Sequence, residues 1–407
     1  MHVDADRMRE DFEALAAIGA TAGGGVDRPS LGEAHLAARA WFLARAAAAG
    51  LETRVDSAGN HSAILPGTGP TLLLGSHLDS VPHGGRYDGA LGVVAALHVL
   101  LAVQASGVEL PVTLEAIDFT DEEGTLVGLL GSEALAGTLT LESLRAPRGG
   151  RDALLAGLER AGLREHELVR ARRDPASLLA FLELHIEQGP RLADAGVQIG
   201  VVSGIVGARS FFLVFRGVAG HAGTTPMDSR RDAGLAAAAF VVSANELVVR
   251  DFPSCVATVG DLRVEPGAFN VVPGSVRVAL EFRAPDVGEL DALESALLRE
   301  AEAAAAEHAL GVDARPVGRW EPTALDPGVR AAVERAAAGL GLTTAELPSG
   351  AGHDAQALAA VVPSGMIFVP STGGVSHDAR EHTPWEDCVN GANTLLHAAV
   401  DYAGRGS

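Results

Sequence analysis

The 407-residue sequence contains no lysine, so all 31 residues in its Lys+Arg count are arginine, against 52 acids, for a net charge of −21. That acidic balance, with no arginine-rich run, excludes nucleic acid and anionic membrane as partners. A small anion would have to be met by individually placed arginines. Cysteine is equally scarce. Cys255 and Cys388 cannot build a disulfide framework or a cysteine-rich zinc site. Long hydrophobic runs are missing too: the longest are alanine-rich and broken within about a dozen residues, as in helices buried inside a protein. Met1-His-Val-Asp4 has neither the basic start nor the apolar core of a signal peptide, so a cytoplasmic setting is expected.

What is present is ordinary globular composition, 47% hydrophobic and 20% charged, in a chain long enough for two domains. Helices are predicted over Met8–Ala20 and Gly32–Ala49, the second with Ser30 as a candidate N-cap and Gly50 as its stop. Thr71–Gly75 reads as a buried strand, Leu91–Val103 as an apolar helix and Val112–Phe119 as another strand. This order predicts an α/β layer with helices on both faces, in which ligands collect beyond the carboxyl ends of the strands. Near Ser210 the pattern changes. Strands at Ser210–Phe215, Cys255–Val264 and Ser275–Phe282 alternate with helices at Arg231–Val249 and Val287–His308, which predicts a small inserted α+β domain. After Trp320 the first domain resumes with helix Pro327–Gly339, strand Met366–Val369 and a last helix from Trp385. The expected division is therefore 1–209 with 321–407, and 210–320.

Chemistry-bearing residues gather where those strands end. In Gly75-Ser-His-Leu-Asp79, His77 and Asp79 are two apart, so an extended segment turns both to one side. A carboxylate there would fix the tautomer of a metal-bound imidazole. Asp88 lies among Gly84, Gly85 and Gly89, which allow a sharp turn back toward His77. In Asp118-Phe-Thr-Asp-Glu-Glu-Gly124 the adjacent Glu122 and Glu123 must point apart, so one could bind a cation while the other acts as general base. His185 and Gln188 lie three apart, and Gly373-Gly-Val-Ser-His-Asp378, continuing to Glu381, brings His377 from the far end of the chain. Three imidazoles and three carboxylates suit two borderline divalent cations bridged by one carboxylate, with Asp88 as the candidate bridge.

With these residues in view, the sequence resembles the hydantoinase/carbamoylase branch of the dinuclear-metal aminoacylase and carboxypeptidase superfamily. The motifs that carry the resemblance are His185-Ile-Glu-Gln-Gly189, Gly220-His-Ala-Gly-Thr-Thr-Pro-Met227, Asn270-Val-Val-Pro-Gly274 and Ser349-Gly-Ala-Gly-His-Asp-Ala355. It implies a peptidase-like catalytic domain with a mixed sheet, plus an inserted ferredoxin-like lid that pairs two chains into a homodimer. It further implies two divalent ions (zinc, or manganese, cobalt or nickel), one on His77, Asp88 and His185, the other on Asp88, Glu123 and His377. Glu122 would be the general base. Gln188, His221, Asn270 and Arg283 would bind substrate, with Gly352 and His353 lining the pocket and His221 also stabilising the oxyanion. The implied substrate is a small ureido or amide compound bearing a carboxylate, first an N-carbamoyl-L-amino acid. Allantoate and β-ureidopropionate follow, then aminoacylase, dipeptidase or non-catalytic roles. Two departures fall near the site and bear on substrate preference: Thr125-Leu-Val127 where the family has Ser-Arg-Phe, and His83 where Asn is commoner.

Overall fold

The computed structural model describes residues 1–405, which divide into two compact units, 1–203 with 324–405, and Gly204–Thr323. In chain order the strands are β1 (Glu52–Val55), β2 (His61–Leu65), β3 (Thr71–His77), β4 (Thr113–Phe119), β5 (Leu178–Ile186) and β6 (Ile199–Ile205). The inserted stretch carries β7 (Gly207–Arg216), β8 (Gly220–His221), β9 (Val256–Glu265), β10 (Val271–Val272), β11 (Ser275–Ala284) and β12 (Gly311–Trp320). Then follow β13 (Thr323–Ala324), β14 (Thr344–Ser349) and β15 (Ser364–Val369). The division expected at residue 210 falls inside β7, because the alternation that starts that strand is already running at Gly207.

The larger unit holds a nine-stranded mixed sheet in the order β1-β2-β4-β3-β5-β15-β6-β13, with β14 paired to β6. Its centre, β4-β3-β5-β15, is parallel, and the flanks are closed by antiparallel β2 and β6. Four carboxyl ends therefore meet at one edge: His77, Phe119, Ile186 and Val369. Leu72–Leu74, Ala116–Ile117, Leu182 and Leu184 are buried apolar residues, as strands covered on both faces require. Helix Ala90–Ser106 is buried from Ala90 through Leu100, and Gly92 lets it come so close that a Cβ there would lie 2.3 Å from the Leu184 carbonyl oxygen. An apolar helix of this kind is a core element.

The smaller unit has a four-stranded antiparallel sheet in the order β12-β7-β11-β9. Helices Ala233–Asp251 and Val287–Glu307 join its strands in the β-α-β-β-α-β sequence of a ferredoxin-like unit. Strict alternation along β7 and β11 turns Phe211, Leu213, Phe215, Val276, Val278, Leu280 and Phe282 into its core. The fourth strand, β12, was not anticipated. It is an edge strand interrupted by Pro316 and Gly318 and nearly all exposed, so it lacks the apolar alternation that marks its neighbours.

Helix boundaries shift as well. The first helix is Ala5–Ala16, capped by the Asp4 side chain on the Arg7 amide. The second starts at Glu33 with Gly32 at the N-cap, so Ser30 is not the cap; its own N–H instead donates to Thr125 Oγ1 at 3.0 Å.

Candidate metal centre

β3 delivers His77 as its last residue and β5 delivers His185 one residue before its end, both 1% exposed. Their Nε2 atoms lie 3.5 and 3.0 Å from Asp88 Oδ1. On the other side His377 Nε2 is 3.6 Å from Asp88 Oδ2 and 3.4 Å from Glu123 Oε2. His77, Asp88 and His185 thus form one set of atoms able to hold a cation, and Asp88, Glu123 and His377 a second, with Asp88 in both. Glu122 diverges from Glu123, its Oε2 3.5 Å from His77 Nε2.

The donor chemistry fits metal binding. The Nδ1 atoms of His77 and His185 sit 3.0 and 2.9 Å from the backbone carbonyls of Asp79 and Ile186, which holds the proton on Nδ1 and leaves the Nε2 lone pair facing the cluster. The Gly89 amide donates to His185 Nε2 at 3.2 Å, consistent with that tautomer.

Glycine at 89 is demanded twice: its φ is +61°, and a Cβ would lie 2.4 Å from the His77 ring. Gly89→Ala is expected to push the ring out of line and abolish stoichiometric metal uptake, measured by elemental analysis after reconstitution. Full uptake would show that the His77 position is not constrained in this way.

The electrostatics follow from burial. Burial alone would raise Asp88, but the imidazoles of His185, His77 and His377 outweigh it and hold the carboxyl below the usual range. Burial depresses His77 to about 4, although Asp88 opposes it. For His185 burial also lowers the value, yet the charge and hydrogen bond of Asp88 win and lift it to about 9, so the proton those groups favour on Nε2 is the one a cation there would displace. Glu122 is pushed well up by burial, then by the neighbouring carboxyls of Asp354 and Glu123. Glu123 rises by burial and then by Asp88.

Behind the ligands runs a buried charged layer. Arg39 Nε donates to Asp118 Oδ2 at 2.7 Å, and Asp118 Oδ1 accepts the Leu78 amide at 2.8 Å, fixing the strand end that carries His77. Arg28, fully buried, donates through Nε to the Leu78 carbonyl at 2.9 Å. Removing one partner would strand the other charge, so Arg39→Leu is expected to cost about 3–5 kcal/mol, visible as a lower denaturant midpoint. A change within the ±0.5 kcal/mol typical of surface substitutions would refute that reading.

Several expected residues have partners that the sequence does not reveal. The Asp79 carboxylate does not hold the His77 ring, being 3.8 Å from Nδ1; it accepts the Glu122 and Glu123 amides, each at 3.3 Å. Gln188 donates through Nε2 to Asp88 Oδ2 at 2.7 Å, so its amide is engaged with the shared carboxylate. His353 is packed against the first ligand set. It is 1% exposed, bonded to Ser349 Oγ at 2.9 Å, with its ring edge-on to His185 at 4.5 Å. Gly352 beside it is exposed.

In the smaller unit His221 and Asn270 are neighbours through the β8–β10 pair, the Ala222 amide donating to the Asn270 carbonyl at 2.9 Å. Arg283 near the end of β11 shares its guanidinium with Glu281 Oε1 at 2.8 Å. Leu126 and Val127 point into a side core with Leu31, Leu130 and Leu154. The hydrogen bonds of Asp79 are not legible in the sequence pattern, and neither is the tie from Glu381 to the Tyr87 and Asp88 amides. Their one legible signal was the placement of acids beside ligand motifs.

A mixed α/β scaffold with two ligand clusters that share one carboxylate at its parallel edge is the frame of a dinuclear-metal enzyme. The chain belongs to peptidase family M20/M25/M40, whose sequence profile matches residues 73–401, and within it to the hydantoinase/carbamoylase amidases. It is 38% identical over 406 residues to an N-carbamoyl-L-amino acid amidohydrolase of Geobacillus stearothermophilus, covering 98% of this chain and 99% of that one. An allantoate amidohydrolase of Bacillus subtilis is 34% identical, over 94% of each chain. The crystal structure of a hydantoinase/carbamoylase family amidase from Burkholderia multivorans superposes with a TM-score of 0.91 at 36% identity, covering 99% and 98% of the two chains.

Proposed function

We propose that the protein hydrolyses N-carbamoyl-L-amino acids to the L-amino acid, ammonia and carbon dioxide. The observation that carries this reading is the pair of ligand clusters sharing Asp88 with Glu122 beside them, in a chain 38% identical to a carbamoylase along its full length. His77, Asp88 and His185 would hold one divalent ion and Asp88, Glu123 and His377 the other, as zinc, manganese, cobalt or nickel. Such ions lower the pKa of a water toward ~7 and polarise the substrate carbonyl. Glu122 takes the proton as water adds to the ureido carbon. The bond from that carbon to the amino-acid nitrogen then breaks, Glu122 returns its proton to the nitrogen, and the released carbamate falls to ammonia and carbon dioxide. His221 donates to the developing oxyanion, while Arg283 and Asn270 hold the carboxylate in a planar, charge-assisted grip. Gln188 keeps a free carbonyl oxygen, buried and without a hydrogen-bond partner, as an acceptor for the terminal ureido NH₂.

The deciding assay uses metal-reconstituted enzyme on N-carbamoyl-L-amino acids, their D-forms, allantoate, β-ureidopropionate and N-acetyl amino acids. Turnover of the L-carbamoyl compounds with the highest kcat/KM is the expected result. A higher value for allantoate would replace this substrate with that of the Bacillus subtilis relative.

We also propose a cytoplasmic homodimer formed through the smaller unit. Leu235, Val242 and Val249, seven residues apart along one helix, are 49%, 59% and 76% exposed, and the edge strand β9 exposes Val256, Leu262 and Val264. An open apolar edge of this kind is a pairing surface. His221, with Asn270, would act on the partner's site. Mixing inactive Glu122→Gln and His221→Ala chains then creates heterodimers with one intact site. Random exchange should restore activity to roughly a quarter of sites. Verified exchange without recovery would reject action in trans.

A further inference from the structure

We propose that Glu381 is the positioning residue that holds the second ligand cluster together, tying the turn that carries His377 to the turn that carries Asp88. This rests on the two-ion reading above.

The two clusters are supported unequally. His77 and His185 stand on strands whose ladders fix them: His77 pairs in register with Phe119, and His185 with Phe368. His377 has no such support. It lies in a loop, its side chain is 50% exposed, and its φ of +56° places a non-glycine residue in the left-handed region. That conformation costs on the order of 1–3 kcal/mol and persists only where neighbours impose it.

Glu381 is the neighbour that reaches both sides. It is 4% exposed. Its Oε1 accepts the amides of Tyr87 and Asp88 at 2.9 and 3.1 Å, and its Oε2 accepts the Ser376 hydroxyl at 3.1 Å. The same Ser376 oxygen lies 3.1 Å from Asp88 Oδ2, the oxygen facing His377. The Glu381 amide donates to the Asp378 carbonyl at 3.0 Å, closing the turn immediately after His377. Space is reserved for the carboxylate: a Cβ at Gly85 would lie 2.0 Å from Glu381 Oε1. One side chain thus fixes the backbone of the shared ligand and, through Ser376, the residue next to His377. Nothing comparable joins Glu381 to His77 or His185 among the hydrogen bonds of the described residues.

The consequence is selective. Outer hydrogen-bond partners of metal ligands are worth about 10–100-fold in affinity. Loss of Glu381 should fall on the second ion, because the first retains two strand-borne imidazoles. The experiment titrates the metal-free full-length chain with Mn²⁺ and with Zn²⁺ by calorimetry, with elemental analysis for stoichiometry. Wild type, Glu381→Ala, Glu381→Gln and Ser376→Ala are compared, and melting temperature is followed for each.

Glu381→Ala is expected to keep one ion at wild-type affinity and bind the second at least about tenfold more weakly. Glu381→Gln, which still offers an oxygen to both amides, should recover much of the loss. Ser376→Ala should weaken the second ion alone. Unchanged binding of the second ion in Glu381→Ala, or equal weakening of both ions, would overturn the proposal. Should Glu381→Ala fail to fold, Ser376→Ala decides: selective weakening supports the assignment, and equal or absent weakening overturns it. A wild-type chain that binds fewer than two ions would instead refute the two-ion reading itself.

Discussion

Turnover is expected to fall at least ~10²-fold in Glu122→Gln while both metal ions remain bound. Glutamine keeps the length and hydrogen-bonding shape of the side chain but cannot receive a proton from water. The structure separates Glu122 from its neighbour: Glu122 turns toward His77, whereas Glu123 turns toward His377 and belongs to the second ligand set. Glu123→Gln should therefore show the opposite profile, with weakened metal binding preceding any loss of rate. Single-turnover rates at saturating metal, combined with elemental analysis, distinguish the two. Metal lost from Glu122→Gln and kept in Glu123→Gln would mean that the roles are exchanged.

The second large effect belongs to Asp88. Asp88→Asn should release both ions and leave no turnover above background, and added manganese, cobalt or zinc should not restore it. The reason is position: Oδ1 faces His77 and His185, and Oδ2 faces His377, so one substitution removes the negative charge from both sets and leaves a single neutral carbonyl oxygen where two carboxylate oxygens stood. In wild type, chelation should abolish activity reversibly and lower the melting temperature, because ions bound only by the native state stabilise it by RT ln(1 + [L]/Kd). In Asp88→Asn chelator should move the melting curve little. Retention of one tightly bound ion by the variant would show that Asp88 does not bridge. Full wild-type activity with no bound metal would refute the mechanism.

Much of this site was legible because a parallel sheet collects strand ends. His77, Glu123 and His185 sit at or just beyond β3, β4 and β5, and any reading that finds the strands finds those residues together. Asp79 was misread because the two-residue alternation holds only within a strand. β3 ends at His77, and beyond it the chain turns the carboxylate to the Glu122 and Glu123 amides. Gln188 has a φ of +61°, a backbone choice that periodicity does not reveal and that redirects the side chain onto Asp88. His353 is followed by a short helix, Asp354–Leu358, and its burial against His185 depends on packing between segments distant in sequence. β12 escaped notice because an exposed edge strand carries no apolar signature. Local pattern located the ligands, while long-range contacts decided what their neighbours do.

The chain leaves for its inserted unit from β6 and returns through β13, and these two strands are neighbours in the main sheet. The crossing points touch, the Leu325 amide donating to the Ser203 carbonyl at 3.1 Å. Neighbouring strands stand about 4.8 Å apart, a gap that a tight turn of two residues can close. The larger fold is therefore a closed circuit into which a guest module has been spliced at a single seam. The course of every host strand is thus independent of the guest's length, so the metal-bearing edge is built without the module that would bring His221, Asn270 and Arg283.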